Sequence, residues 1–189
     1  MLHLASKSPR RLELLRQLGL EPRLLDVEVE ERRGAAEAPP DYVERVAREK
    51  AQAGLAQLQG QPGALVLGAD TEVVLGDIVY GKPADADDAA RMLGELSGRE
   101  HEVLTAVWVL NGEGAGRAVQ RSRVRVQALA PTDIAWYLDS GEWRGKAGAY
   151  AIQGRFAAFI EDLSGSHSGV MGLPLHETHR LLRDAGLRW

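Results

Sequence analysis

The spacing of apolar residues changes several times along the chain, and each change predicts an element. Leu2 to Ala5 is a short apolar run, followed by polar Ser6-Lys7-Ser8-Pro9 and then by Leu12, Leu15 and Leu18 at helical intervals. Ser8 as N-cap, Pro9 at the first helical position and Gly19 as the stop frame that helix. Arg23 to Glu30 alternates like a strand, and Asp41 to about Leu58 returns to helical spacing through Val43, Val46, Ala47, Ala51 and Leu55. The continuous apolar run Ala64 to Leu67, ending in Gly68-Ala69-Asp70, predicts a buried strand. Val73 to Tyr80, with Gly76-Asp77 at its centre, predicts a hairpin. Further on come a helix over Ala84 to Leu96 and two β-branched stretches, Val103 to Asn111 and Ala118 to Leu129, flanking a turn over Gly112 to Gly116. A helix from Pro131 to Leu138, a strand over Phe156 to Ile160 and a helix from Leu175 to Asp184 complete the chain. Helices interleaved with hairpins predict one α/β domain whose sheet mixes parallel and antiparallel pairs.

Composition narrows the function. The 189 residues carry a formal net charge of -4, so no global basic field attracts nucleic acid or an acidic membrane. A polyanionic ligand must therefore meet a local basic cluster. Aromatic residues make up 5%, too few for base-stacking platforms. The absence of cysteine excludes disulfides, thiolate nucleophiles and cysteine-ligated metals, and suits a reducing compartment. The N-terminus turns polar too early for a signal peptide and no apolar run approaches a membrane span, so the expected location is the cytoplasm.

Several places carry potential chemistry, each with a plainer alternative. Ser6-Lys7-Ser8-Pro9-Arg10-Arg11 lies where a strand feeds a helix, and unpaired N–H groups there suit phosphate. The plain reading is an ordinary N-cap with solvated cations. Asp70, at the exit of the most apolar strand, is placed to hold a metal or take a proton from water, or simply to cap a turn. Lys50 falls on the apolar face of its helix and either snorkels to the rim or reaches into a cleft. Gly81-Lys82-Pro83 projects a lysine from a turn. The acids Glu28, Glu30 and Glu31 offer oxygen ligands for magnesium or form a solvated loop. His176-Glu177-Thr178-His179 spaces its histidines three apart, not the four of a zinc-protease helix, so it reads as exposed helix.

Taken in order, Ala5-Ser6-Lys7-Ser8-Pro9-Arg10-Arg11, Arg48-Glu49-Lys50-Ala51, Gly68-Ala69-Asp70-Thr71, Gly81-Lys82-Pro83, Leu96-Ser97-Gly98, the stretch Lys146 to Gly154 and the stretch Val170 to Leu175 resemble the Maf family. The resemblance spans essentially the whole chain, 1–189. It implies an elongated mixed α/β domain of the Maf/ITPase-like kind, with a central nucleotide-binding cleft, acting as a cytoplasmic homodimer without nucleic acid or membrane partners. The implied activity is cleavage of a nucleoside triphosphate to monophosphate and pyrophosphate. Arg10, Thr71 and Gln153 point to the branch associated with dTTP and UTP. Substrate would be held by Ser6, Ser8, Arg10, Arg11, Lys50, Thr71, Lys82 and Gln153, with Lys7 adding charge. Asp70 and Glu31 would hold magnesium or manganese, and Asp70 would also deprotonate the attacking water. The family's association with septum formation implies a rival role, regulation of cell division by nucleotide binding alone. One departure is His167, where family members often carry tyrosine, within a stretch expected to be flexible because Gly165 and Gly169 flank it.

Overall fold

The computed structural model describes residues 1–59, 61–112 and 114–188. Its elements run β1 (Leu2–Ala5), α1 (Pro9–Gln17), β2 (Arg23–Leu25), α2 (Pro39–Gln57), β3 (Leu65–Leu75), β4 (Ile78–Tyr80), α3 (Ala86–Leu96), β5 (Glu100–Leu110), β6 (Ala115–Val126), α4 (Pro131–Asp139), β7 (Ile160–Ser164), α5 (His167–Val170) and α6 (Leu175–Asp184). One seven-stranded sheet has the order β2-β1-β3-β5-β6-β7, with β4 paired to β3 off that path. β1 is parallel to β2 and β3, and every other pair is antiparallel. The mixed sheet expected from the interleaved pattern is present. All four residues of β1 are buried, as a parallel strand covered on both faces requires.

The strand β3 organises the sheet. On one side it pairs with β5 from Val66 to Val74. On the other it pairs with β1 at Leu65 to Gly68 and with β4 at Val73 to Leu75. Between those two neighbours, residues 69–72 meet no strand among the described residues, and the sheet edge has a notch. Asp70 therefore lies in the middle of an 11-residue strand, not at a strand exit. The apolar run ends where β1 ends, while the β5 ladder carries the strand onward past it.

Packing of α2 on β3 follows from small residues. A Cβ at Gly68 would lie 2.5 Å from both the Ala47 carbonyl oxygen and the Ala51 amide nitrogen, so helix and strand backbones approach directly there. Val43, Val46, Ala47 and Ala51 are fully buried on that helix face. The strand's alternation puts Gly68, Asp70 and Glu72 toward α2 and Thr71 toward α1.

Other expectations shift locally. Ser8 is the N-cap residue of α1 by position, but its side chain makes no capping bond; Pro9 starts the helix. The alternation from Arg23 to Glu30 yields only three strand residues, because Asp26 and Glu28 turn out to pair with Lys7. Phe156 to Phe159 belongs to a 3-10 turn, and the strand follows it at Ile160–Ser164. Phe156 and Phe159, three apart, both face the core and stack edge-on at 5.6 Å, a spacing that suits a helical turn. The Gly- and Ser-rich stretch around His167 forms α5, with Ser166 Oγ accepting from the Gly169 N–H at 3.0 Å. Residue 113, within the turn expected over 112–116, lies outside the described residues.

Two stability effects follow. Gly68→Ala places a methyl against helix backbone, and overpacking of this kind costs about 1–3 kcal/mol; the urea midpoint should fall accordingly, and an unchanged midpoint would mean that α2 yields freely. His101 on β5 is buried beside the Tyr150 hydroxyl at 2.8 Å, and burial holds its imidazole down to about 4. Its unfolded value is near 6.5, so the folded state binds fewer protons as pH falls between those values. The stability it contributes is complete above pH 6.5 and lost as pH drops through about 4, a change of about 3 kcal/mol. Urea titrations across that range should show the loss in the parent protein and a flatter profile in His101→Gln.

Candidate active site

The notch opens into a cleft of about 930 Å³, within the range of small-molecule sites. The exit of β1 and the start of α1 form one wall, residues 70–73 of β3 the floor, and the Gly81-Lys82 turn, loop 145–147 and Tyr150, and residues 170–172 the remainder. Seven cationic residues line it: Lys7, Arg10, Arg11, Arg33, Lys50, Lys82 and Lys146. Four acids accompany them: Glu31, Asp70, Glu72 and Asp77. The local balance is cationic although the chain is acidic, which is the cluster that a polyanionic ligand demands.

On the α1 face, Arg11 is buried and bonded through all three guanidinium nitrogens. Its Nε donates to the Gly172 carbonyl at 2.8 Å, and its terminal nitrogens reach Ser6 Oγ at 3.1 Å and Thr71 Oγ1 at 3.2 Å. Thr71 Oγ1 also lies 3.0 Å from Thr105 Oγ1. Burial lowers the Arg11 pKa, opposed by the negative charges of Asp70, Glu31 and Glu72. This guanidinium thus ties β1, β3 and the 170–172 loop together at the cleft wall. Its neighbour Arg10 is half-buried with no hydrogen bond or ion pair among the described residues. Its pKa is lowered by burial and by the charge of Arg11. Ser6 Oγ further accepts from the Ser8 N–H at 3.2 Å.

On the α2 face the acids and lysines interlock. Lys50 reaches inward instead of snorkelling, with Nζ 2.7 Å from Asp70 Oδ1 and 2.6 Å from Glu31 Oε1. Lys82 Nζ takes the other Glu31 oxygen at 3.1 Å. Burial alone would raise the Glu31 carboxyl, but its bonds to Lys50 and Lys82 outweigh that and hold it down at about 2. Asp70 Oδ2 is buried with no partner. Glu72, two residues along the same strand face, is buried and has no hydrogen bond or ion pair among the described residues. Its carboxyl is pushed up to about 8, first by burial and then by the charges of Asp70 and Glu31.

Sequence reasoning named Ser6, Lys7, Ser8, Arg10, Arg11, Glu31, Lys50, Asp70, Thr71 and Lys82, and all of them line this one cleft. Lys7 is exposed and bridges Asp26 at 2.8 Å and Glu28 at 3.2 Å. Gln153 is exposed beyond Tyr150 and is not among the residues lining the cleft, because the chain turns over residues 151–154 there. His176 and His179 lie on the exposed side of α6. Glu72, Arg33 and Lys146 were missed. A second acid two positions after Asp70 on a strand was a readable signal for Glu72. Arg33 and Lys146 sit in irregular segments whose direction no periodicity reveals.

A cleft at a sheet-edge notch, with paired acids ringed by cations, defines an α/β protein built around a small polyanion. A family model described as "Maf-like protein" matches residues 1–185, and the chain belongs to the Maf family. It is 56% identical to the dTTP/UTP pyrophosphatase of Xanthomonas axonopodis pv. citri, over 98% of this chain and 99% of that one. It is 52% identical to the nucleoside triphosphate pyrophosphatase of Xylella fastidiosa, over 96% and 97%, and 52% identical to the dTTP/UTP pyrophosphatase of Ralstonia nicotianae, over 98% and 94%.

The contrast between Arg11 and Lys82 is open to test. Arg11→Lys cannot reach three acceptors on separate elements and leaves buried oxygens unpaired, at about 1–3 kcal/mol. The expected result is a clear drop in unfolding midpoint, whereas Lys82→Ala on its exposed turn should leave the midpoint unchanged and reduce turnover. Equal midpoints for the two variants would overturn the structural role given to Arg11.

Proposed function

We propose that this chain is a nucleoside-triphosphate pyrophosphatase that cuts dTTP and UTP between the α and β phosphates. The observation that carries the reading is Asp70 Oδ2, a buried carboxylate oxygen without a partner in the cation-lined cleft. A general base needs an open lone pair where the substrate sits. The relatives' names support the substrate class: dTTP and UTP in the Xanthomonas and Ralstonia proteins, nucleoside triphosphates in the Xylella one. The rival reading, regulation by binding alone, has no use for that unpaired acid.

Lys50 holds Asp70 Oδ1 and so fixes the plane of the carboxylate, leaving Oδ2 as the oxygen free to take a proton. As the water adds to the α-phosphorus, Asp70 takes its proton. The bond from the α-phosphorus to the bridging oxygen breaks, and its electron pair departs with pyrophosphate. Arg10, Lys82 and Lys146 stabilise the charge gathering on the leaving group. Ser6, Ser8 and the first N–H groups of α1 seat a phosphate.

The acid side of the cleft also fits a divalent cation, magnesium or manganese. Glu31, Asp70 and Glu72 outnumber Lys50 and Lys82, and one buried carboxylate oxygen is unpaired. Asp70 would hold the ion, with Glu31 as the second ligand on the family resemblance. When bound, the cation neutralises charge at the phosphate and makes phosphorus easier to attack. For base choice, Gln153 would have to turn inward from its exposed position.

Phosphorus NMR of the reaction should show thymidine monophosphate and pyrophosphate appearing together, with no inorganic phosphate. Asp70→Asn should lower turnover by about 100- to 10,000-fold while leaving the fold intact. Release of the γ-phosphate, or an Asn variant within a few-fold of the parent, would overturn the reading.

A further inference from the structure

Two buried neighbouring carboxylates on β3 keep an oxygen free, and they are not the two that the family resemblance pairs. Both oxygens of Glu31 are already occupied, Oε1 by Lys50 at 2.6 Å and Oε2 by Lys82 at 3.1 Å. To bind a cation, Glu31 would have to release an ammonium that holds it. Glu72 has no such tie. It is 8% exposed, lines the cleft and has no hydrogen bond or ion pair among the described residues. Asp70, 6% exposed, keeps Oδ2 unpaired.

These two residues stand at positions i and i+2 of β3, so both side chains leave the same face, with Cα atoms ~6.7 Å apart. That face is otherwise Val66, Gly68 and Val74, packed under α2. Nothing in the apolar pattern calls for an acid at position 72. The helix above supplies one ammonium, Lys50, and its bonds go to Asp70 and Glu31. Two buried, neighbouring carboxylates cannot both stay ionised at low cost unless a positive charge joins them. Among the described residues no three His, Asp or Glu side chains converge into a complete metal cage. Magnesium-type sites commonly use one or two carboxylates and fill the remaining positions with water and substrate phosphate.

Accordingly we infer that Glu72, together with Asp70, is the carboxylate ligand of the divalent cation, and that Glu31 instead serves to hold Lys50 and Lys82. The inference rests on the metal-assisted reading above and reassigns its second ligand. With Glu31 occupied by lysines, the count on this side is three acids against two ammoniums. A divalent ion between Asp70 and Glu72, with all three acids ionised, brings this side to net +1, the sign needed to receive a phosphate.

The test is Mn²⁺ binding to the nucleotide-free protein, read by the loss of the free-ion electron paramagnetic resonance signal. A second readout is the rise in melting temperature on adding Mn²⁺. Glu72→Gln removes the charge with little change of shape, and Glu72→Val provides a second variant suited to a buried strand. Both should bind Mn²⁺ roughly 10-fold more weakly or worse, and should lose most of the Mn²⁺-induced rise in melting temperature. Glu31→Gln should retain tighter Mn²⁺ binding than either. Affinity within twofold of the parent in both Glu72 variants would overturn the assignment, as would a larger loss in Glu31→Gln. A parent protein that binds no Mn²⁺ also overturns it. Pyrophosphate release measured on the same preparation then shows whether the hydrolytic reading survives without this ion site.

Discussion

One ammonium group holds the acidic side of the cleft together. Lys50 lies between Glu31 and Asp70, within 2.7 Å of each, and is carried there by α2. Removing one partner from a buried ionic contact of this kind leaves uncompensated charge worth about 3–5 kcal/mol. The position of Lys50 in turn depends on how closely α2 approaches β3, and that approach depends on the missing side chain at Gly68 and the small ones at Ala47 and Ala51. A long helix can place a charge this precisely only where its backbone is pressed directly on the strand beneath.

The cations divide by what they already hold. Arg11 is bonded at each guanidinium nitrogen, to a carbonyl and two hydroxyls, and its contribution is to fix the wall of the cleft. Lys50 is committed to acids, and Lys82 shares Glu31 with it. Arg10 has no such commitment. A cluster that looks uniform as a list of charges is thus graded from structural to available, and an incoming anion competes mainly with water at the available end.

The sequence read well wherever a local rule decided the outcome. The β1-α1 junction was legible from Pro9 and Gly19, and the α2 face from Val43, Val46, Ala47 and Ala51, since one turn or one periodic stripe determines each. Errors arose where a distant partner decided. The β3 strand runs on through Asp70 because β5 supports it on the far side, and no signal within residues 64–75 encodes that. The turn at Phe156 to Phe159 exists because two rings three apart must both reach the aromatic cluster around Tyr137 and Tyr150. The site followed the same division. Residue types and their order brought ten of the lining residues into view, but which lysine grips which acid is settled only when loop 26–33 folds over the strand.

Because the notch exposes the edge of the sheet, the cleft is not confined to one face of it. Asp70 and Glu72 point to one side of β3 and Thr71 to the other, and all three line the same space. A ligand lying across that edge therefore meets two chemical environments divided by a single layer of backbone. Substitutions on the Thr71 side can change which molecules are accepted while the acids one residue away stay in register. One wall of the cleft can thus be altered without moving the acids on the other.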